Sequence, residues 1–234
     1  MNDSNSDYSY LKGKIIAIDG PAGSGKSTTA KLLAAKLGFN YLDTGAMYRA
    51  ITYYALSNNI SPSDGKKLAE LAQQLPIVFE THADINHVFI DGKEVTKEIR
   101  TPEVTLHVSE VSAHKNVRKA MVEKQKEKGK NGSIVAEGRD TTTVVFPDAE
   151  VKIYLNASVD ERANRRVKDL HQAGSKTNVD EQIIDIERRD HHDSNREHSP
   201  LTQADDAILV DTTDLTIEGQ VNKIIELIKA NNKS

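Results

Sequence analysis

Gly20, Pro21, Ala22, Gly23, Ser24, Gly25, Lys26 and Ser27 have the types and spacing needed for one task, the holding of phosphate. Small residues let successive backbone N–H groups converge on phosphate oxygens with no Cβ in the way, and a helix beginning at the lysine adds the positive end of its dipole. In such a loop Lys26 reaches the β and γ phosphates of ATP, and the Ser27 hydroxyl is an oxygen ligand for the accompanying Mg²⁺. Thr28 completes the expected ATP-binding set. The bland alternative is a glycine-rich turn with an ordinary surface lysine. Context argues against it. Lys14 to Asp19 is a short apolar run before the loop, and Ala30, Leu33, Ala34 and Leu37 follow at helical spacing.

The loop fixes the phosphate donor and leaves the acceptor open. A guanine-reading N-K-x-D is not formed, because Asn222-Lys223 is followed by two isoleucines inside an expected helix. Two further groups fall after strand-like runs. Asp43 to Arg49 (DTGAMYR) follows Tyr41-Leu42, and Glu137 to Asp140 (EGRD) follows another apolar run. Both therefore lie at the carboxyl edge of a sheet, where α/β proteins bind ligands. Arg139, after a Gly-permitted turn, is suited to fork a phosphate; a salt bridge to Asp140 or a neighbour is the structural alternative.

The elements that position these groups are readable. The five runs at Lys14–Asp19, Tyr41–Leu42, Ser133–Glu137, Val151–Asn156 and Ala207–Asp211 predict a five-stranded parallel sheet covered by helices on both faces. Gly38 suits a helix C′ position, Thr101-Pro102 places proline at a first helical position, and Ser158 with Glu161 forms a capping box. From Pro76 to Val95 short β-prone runs and Asp91-Gly92 predict a small antiparallel sheet inside an insert. Arg189, Asp193 and Arg196 share one face of an expected helix, which on spacing alone is also compatible with an exposed ion pair. Arg162, Arg165 and Arg166 lie on the helix after the fourth strand, either as phosphoryl ligands or as a solvated basic face.

Taken together, these boxes resemble the bacterial cytidylate kinase family, of the P-loop nucleoside monophosphate kinases. They are the phosphate loop, Asp43–Arg49, the E-I-R at Glu98 to Arg100, the G-R-D-x-x-T-V-V-F-P-D at Gly138 to Asp148, and the R-D-x-x-D-x-x-R at Arg189 to Arg196. The resemblance runs from about Lys14 to the last helix. It implies a P-loop fold carrying an inserted monophosphate-binding domain and a helical lid, and transfer of the ATP γ-phosphoryl to CMP or dCMP. Carried over, Arg49 and Arg139 clamp the acceptor phosphate, Ser109, Arg118 and Arg196 recognise the pyrimidine, and Thr44 and Asp140 lie on the substrate side. Arg189 and Asp193 hold the ribose. Tyr48 matches a residue near the sugar, with a core-lining aromatic as its alternative. Lys26, Arg139, Arg165 and Arg166 are the expected catalytic residues. His191 and His192 depart from the family pattern, which often has Asp and Arg there. A metal site from His191, His192, Asp193 and His198 is disfavoured, since adjacent histidines on a helix face different ways.

The expected division is a polar extension at 1–13, a core at 14–43, 119–164 and 197–234, an acceptor insert at 44–118 and a lid at 165–196. A net charge of −4 argues against a general nucleic-acid or membrane-binding surface. No run approaches the roughly 20 apolar residues of a membrane helix. Met1 to Tyr10 lacks the basic and apolar regions of a secretory signal. With no cysteine, disulfides and thiolate metal sites are excluded. A cytoplasmic monomer using ATP, CMP or dCMP and Mg²⁺ is the expectation.

Overall fold

The five apolar runs become the strands of one parallel sheet: β1 (Ile15–Asp19), β2 (Asn40–Asp43), β6 (Ile134–Gly138), β7 (Val151–Asn156) and β8 (Ile208–Asp211), in the order β2-β6-β1-β7-β8. The computed structural model describes residues 8–82, 85–172 and 174–231. Burial on both faces explains why these strands read as continuous apolar runs rather than alternating ones. Ile16, Ile18, Val135, Ile153, Leu155 and Val210 form the core with Leu33 of α1 (Lys26–Leu37) and Ile224 and Ile228 of α8 (Ile217–Asn231). Gly38 ends α1 at φ 67°, and the Phe39 N–H closes back on the Ala34 carbonyl at 2.8 Å.

Register decides what the sheet presents. Asp19 of β1 stands opposite Gly138 of β6 and Tyr154 of β7, so the phosphate loop and the Arg139 turn leave the sheet at the same edge. The chain divides into two compact units. The first comprises the described residues of Met1–Leu42, Asn131–Asn195 and Ser199–Ser234. It also holds α6 (Val159–Gln172) and α7 (Val179–Asn195). Part of the expected polar extension belongs to it: a 3-10 turn at Ser9–Leu11 buries Leu11 in the core, while Lys229 lies over the Tyr8 ring at 5.1 Å. Residues 1–7 and 232–234 lie outside the described residues.

Among its described residues the second unit, Asp43–Lys130 with Arg196–His198, contains four α-helices, a 3-10 turn at Glu98–Arg100 and the antiparallel sheet. The helices are α2 (Thr44–Ser57), α3 (Gly65–Gln74), α4 (Pro102–Ala113) and α5 (Lys115–Gly129). The sheet is β3 (Ile77–His82), β4 (Ile85–Ile90) and β5 (Lys93–Glu94). Asp91 (φ 50°) and Gly92 (φ 76°) supply the two positive φ angles of a tight hairpin turn between Ile90 and Lys93. Thr101 caps α4 ahead of Pro102. The sequence division closed the insert at Arg118, whereas this unit runs to Lys130, because α5 is unbroken and packs along α3.

Two local readings need correction. Ser158 Oγ accepts from the Glu161 N–H (3.2 Å), but the Ser158 N–H goes to Thr213 Oγ1 (3.0 Å) and the Glu161 carboxylate to Arg165, so only half of the capping box forms. The helix expected to carry Arg196 ends at Asn195, whose side-chain amide donates to the His191 carbonyl at 2.8 Å while the Leu201 N–H takes the Asp193 carbonyl. Arg196 lies beyond that end.

Candidate active site

The phosphate loop is shaped by what its glycines avoid. A Cβ on Gly20 would stand 2.0 Å from the Leu155 carbonyl oxygen, and one on Gly25 (φ 91°) 2.8 Å from Gln220 Oε1. Gly25 is also the N-cap of α1 and has no side chain to cap it, which leaves the first-turn N–H groups for an anion. Lys26, 5% exposed, donates to the Pro21 carbonyl (2.7 Å) and Ser24 Oγ (3.3 Å). Burial and then the Arg139 charge lower its pKa to about 7, against the opposing pull of Glu137 and Asp19. Thr28 is exposed.

Carboxylates organise the surroundings. Glu137 Oε1 accepts from Ser27 Oγ (2.7 Å) and Tyr41 OH (3.1 Å). Asp19, fully buried at the end of β1, accepts from the N–H groups of Thr141 (2.9 Å) and Thr142 (2.7 Å) and from Thr142 Oγ1 (2.6 Å). It thereby pins the π-helical turn Thr141–Val145 that begins just after Arg139 and the buried Asp140. Burial raises the Asp19 pKa, and those hydrogen bonds oppose the rise.

Arg139 donates through Nε to Asp193 Oδ2 at 2.9 Å. Burial pulls its pKa down, but Asp193, Glu137 and Asp190 outweigh that and hold it above the ordinary arginine value. Arg189 differs. Burial and the Arg139 charge lower it to about 10, and its Nε is buried without a hydrogen-bond partner among the described residues. Arg139 and Arg189 thus add to burial in lowering Lys26, and Arg139 adds to burial in lowering Arg189, while the carboxylates hold Arg139 itself above its ordinary value.

The three arginines of α6 separate. Arg162 is buried and spent on the Ala157 and Ala22 carbonyls and Asp190. Arg165 donates to Glu161 Oε1 (2.8 Å) and to Thr212 Oγ1 (3.1 Å) and carbonyl. Arg166 makes no hydrogen bond or ion pair among the described residues and adds to the charge felt by Arg189.

Within the second unit, Thr44, Tyr48 and Arg49 come from α2, Ser109 from α4 and Arg118 from α5. Asp43 caps α2 through the Ala46 N–H (2.8 Å) and takes Arg100 Nη2 (2.9 Å). Arg49 Nη1 donates to Thr105 Oγ1 (2.9 Å) and the Ile99 carbonyl (3.3 Å). Arg118, 3% exposed, lies over the Tyr48 ring at 5.2 Å and donates to the Ser112 carbonyl. Tyr48 is therefore a buried platform for a cation. Ser109 is half-buried. Arg196 is buried beyond α7.

Sequence reasoning missed Asp19, Asp190, Thr105, Thr212 and Gln220, and gave Glu137 no role. Asp19 left one signal, a lone carboxylate closing an apolar strand. Among the described residues no three His, Asp or Glu side chains gather to hold a metal, and exposed His191 faces Asn195. For nucleotide-bound Mg²⁺ the fit is good: Ser27 Oγ and Glu137 are hard oxygen groups beside the loop.

Parallel sheet, phosphate loop and cation group together define a P-loop phosphotransferase. Comparison with known proteins narrows the class. Residues 16–230 match the family model described as cytidylate kinase. The chain is 52% identical, over 93% of its length and 97% of the other, to the cytidylate kinase of Listeria monocytogenes. To that of Enterococcus faecalis it is 53% identical, over 93% and 96%. It belongs to the cytidylate kinase family, and so to the nucleoside monophosphate kinases. An uncharacterized protein from Eubacterium ventriosum shares the fold at a TM-score of 0.51 and 12% identity, covering 94% of this chain and 99% of its own.

Proposed function

We propose that the protein transfers the γ-phosphoryl group of ATP to CMP or dCMP, giving ADP and CDP or dCDP. The observation that carries this reading is the gathering of positive charge at the phosphate loop, where Arg139 and Arg189 both add to burial in lowering the pKa of Lys26. Gly20 to Thr28 bind ATP, and Ser27, backed by Glu137, would hold its Mg²⁺, which would supply positive charge to the triphosphate. An oxygen of the acceptor phosphate, already anionic, attacks in line, so no protein general base is needed. Lys26 and Arg139 stabilise charge on the transferring group. Arg166 joins them directly, whereas Arg165 must first exchange its bonds to Glu161 and Thr212.

To the acceptor side we assign Thr44, Tyr48, Arg49, Ser109, Arg118, Arg139, Asp140, Arg189, Asp193 and Arg196. A monomer in the cytoplasm completes the reading. The test is an acceptor panel at fixed ATP and Mg²⁺, followed by ADP release. CMP and dCMP are expected to far exceed UMP and AMP. Preference for UMP or a non-nucleotide acceptor moves the protein to another small kinase class; ATP binding without transfer to any acceptor makes it a nucleotide sensor.

A further inference from the structure

We propose that Asp190, which belongs to neither binding set, is the positioning residue through which α7 couples the donor loop to the acceptor side. It lies between Arg189 and Asp193, yet its carboxylate is turned to the phosphate loop. One oxygen accepts from the Ala22 N–H at 3.3 Å, and the other pairs with Nη1 of Arg162. That same Nη1 donates to the Ala22 carbonyl at 3.0 Å. A single ion pair therefore holds the peptide groups on both sides of the Ala22 Cα. Gly23 leans on the same arginine, since a Cβ there would stand 3.0 Å from Arg162 Cβ.

Arg162 is too deeply buried to carry its charge alone, and a buried guanidinium without a counter-ion is costly. Asp190, its side chain 22% exposed, is the carboxylate that neutralises it. One turn further along α7, Asp193 holds Arg139. Residues three apart share a helix face. A small shift of α7 that fits Arg189 and Asp193 to the acceptor's sugar thus carries Asp190, and with it the loop at Ala22; a donor phosphate that reshapes the loop acts back along the same path. Such coupling is reciprocal in free energy. The inference rests on the assignment of Arg189 and Asp193 to the acceptor.

The test measures binding to the full chain by calorimetry with a non-hydrolysable ATP analogue and Mg²⁺, with CMP, and with each in the presence of the other. In the wild type each ligand is expected to tighten the other by about fivefold or more, the usual lower bound for linked sites. Asp190→Asn keeps the shape and removes the charge; Asp190→Glu keeps the charge and lengthens the reach. In both, the coupling factor should fall to about one, within the error set by roughly additive single-ligand binding. A wild-type factor of one, or a wild-type factor retained in both variants, overturns the proposal. So does a loss of ATP-analogue affinity that is equal with and without CMP and tracks a lower melting temperature, because that marks a mere prop for the loop. Failure of the wild type to bind CMP strikes at the acceptor assignment instead, and the coupling is then read with inorganic phosphate in place of CMP.

Discussion

Lys26 gives up its proton easily. With a pKa of about 7 it is largely neutral at mildly alkaline pH, and an anion at the loop restores the charge that burial and Arg139 suppress. Sulfate, a dianion throughout this range, should therefore bind with proton uptake above pH 7 and weaken by up to about tenfold per pH unit as it rises further. Calorimetry in two buffers of different ionisation enthalpy reads the uptake directly; equal heats in both would contradict it, and Lys26→Met should abolish it. In the free chain the sign is reversed: the folded state binds fewer protons at Lys26 than the unfolded one, so this group's contribution to stability grows as pH climbs from about 7 towards the ordinary lysine value. Arg139→Ala should lower turnover by at least about a hundredfold, the scale of one preorganised electrostatic contact, in the coupled ADP assay. Near wild-type turnover removes Arg139 from the site. Lys26 and Arg139 were legible as types at a spacing. Their environment was not, because the groups that tune it come from far along the chain: Asp193 lies 54 positions from Arg139, and Thr141 lies 122 from Asp19.

Elements were legible where local pattern and tertiary burial agree. The five strands are short apolar runs because both faces of the sheet are covered, and the hairpin at Asp91-Gly92 follows from the two residue types that accept positive φ. The turn at Thr141–Val145 left no pattern, since a carboxylate on another strand pins it. Likewise the capping box at Ser158 lost its second bond to Thr213, a partner no local rule foresees. The loop glycines permit a sharper test. At Gly25 an alanine meets both a φ of 91° and Gln220 Oε1, which already accepts from Thr29 Oγ1 at 2.6 Å. At Gly92 it meets positive φ alone, with nothing within 4 Å. Gly92→Ala should cost about 1 kcal/mol of stability by denaturant unfolding and leave ATP affinity unchanged. Gly25→Ala should cost more, up to about 3 kcal/mol, and remove most ATP binding. Equal behaviour of the two variants would mean that the crowding at Gly25 is absorbed by rotation of Gln220.

At the scale of the molecule, the charge balance argues against a surface built to bind polynucleotides. Thirty-one basic residues are outnumbered by 35 acidic ones, and the arginines that cluster in sequence do not form an exposed stripe. Arg162 is turned inward onto Asp190, Arg139 onto Asp193 and Arg165 onto Glu161, so three of the most suggestive cations are already countered by carboxylates and little exposed. Sequence alone gave the balance and the clusters, but not this pairing, which depends on how α6 and α7 meet and on Arg139 entering from β6. A polynucleotide gains affinity by releasing counterions from several phosphates at once, with log K falling by about 0.9 per neutralised phosphate for each log unit of salt. On the proposed reading the loop and its cations take a short, dense anion rather than an extended backbone. A labelled single-stranded oligonucleotide titrated by anisotropy should accordingly bind weakly even at low salt, with a slope no steeper than about −1.5, as for two phosphates held by single-stranded contacts. Excess ATP should displace what binds. A slope near −4 that ATP does not relieve would require an exposed cationic surface elsewhere, and the assignment of these arginines to a phosphoryl-transfer site would then fail to account for the protein's basic residues.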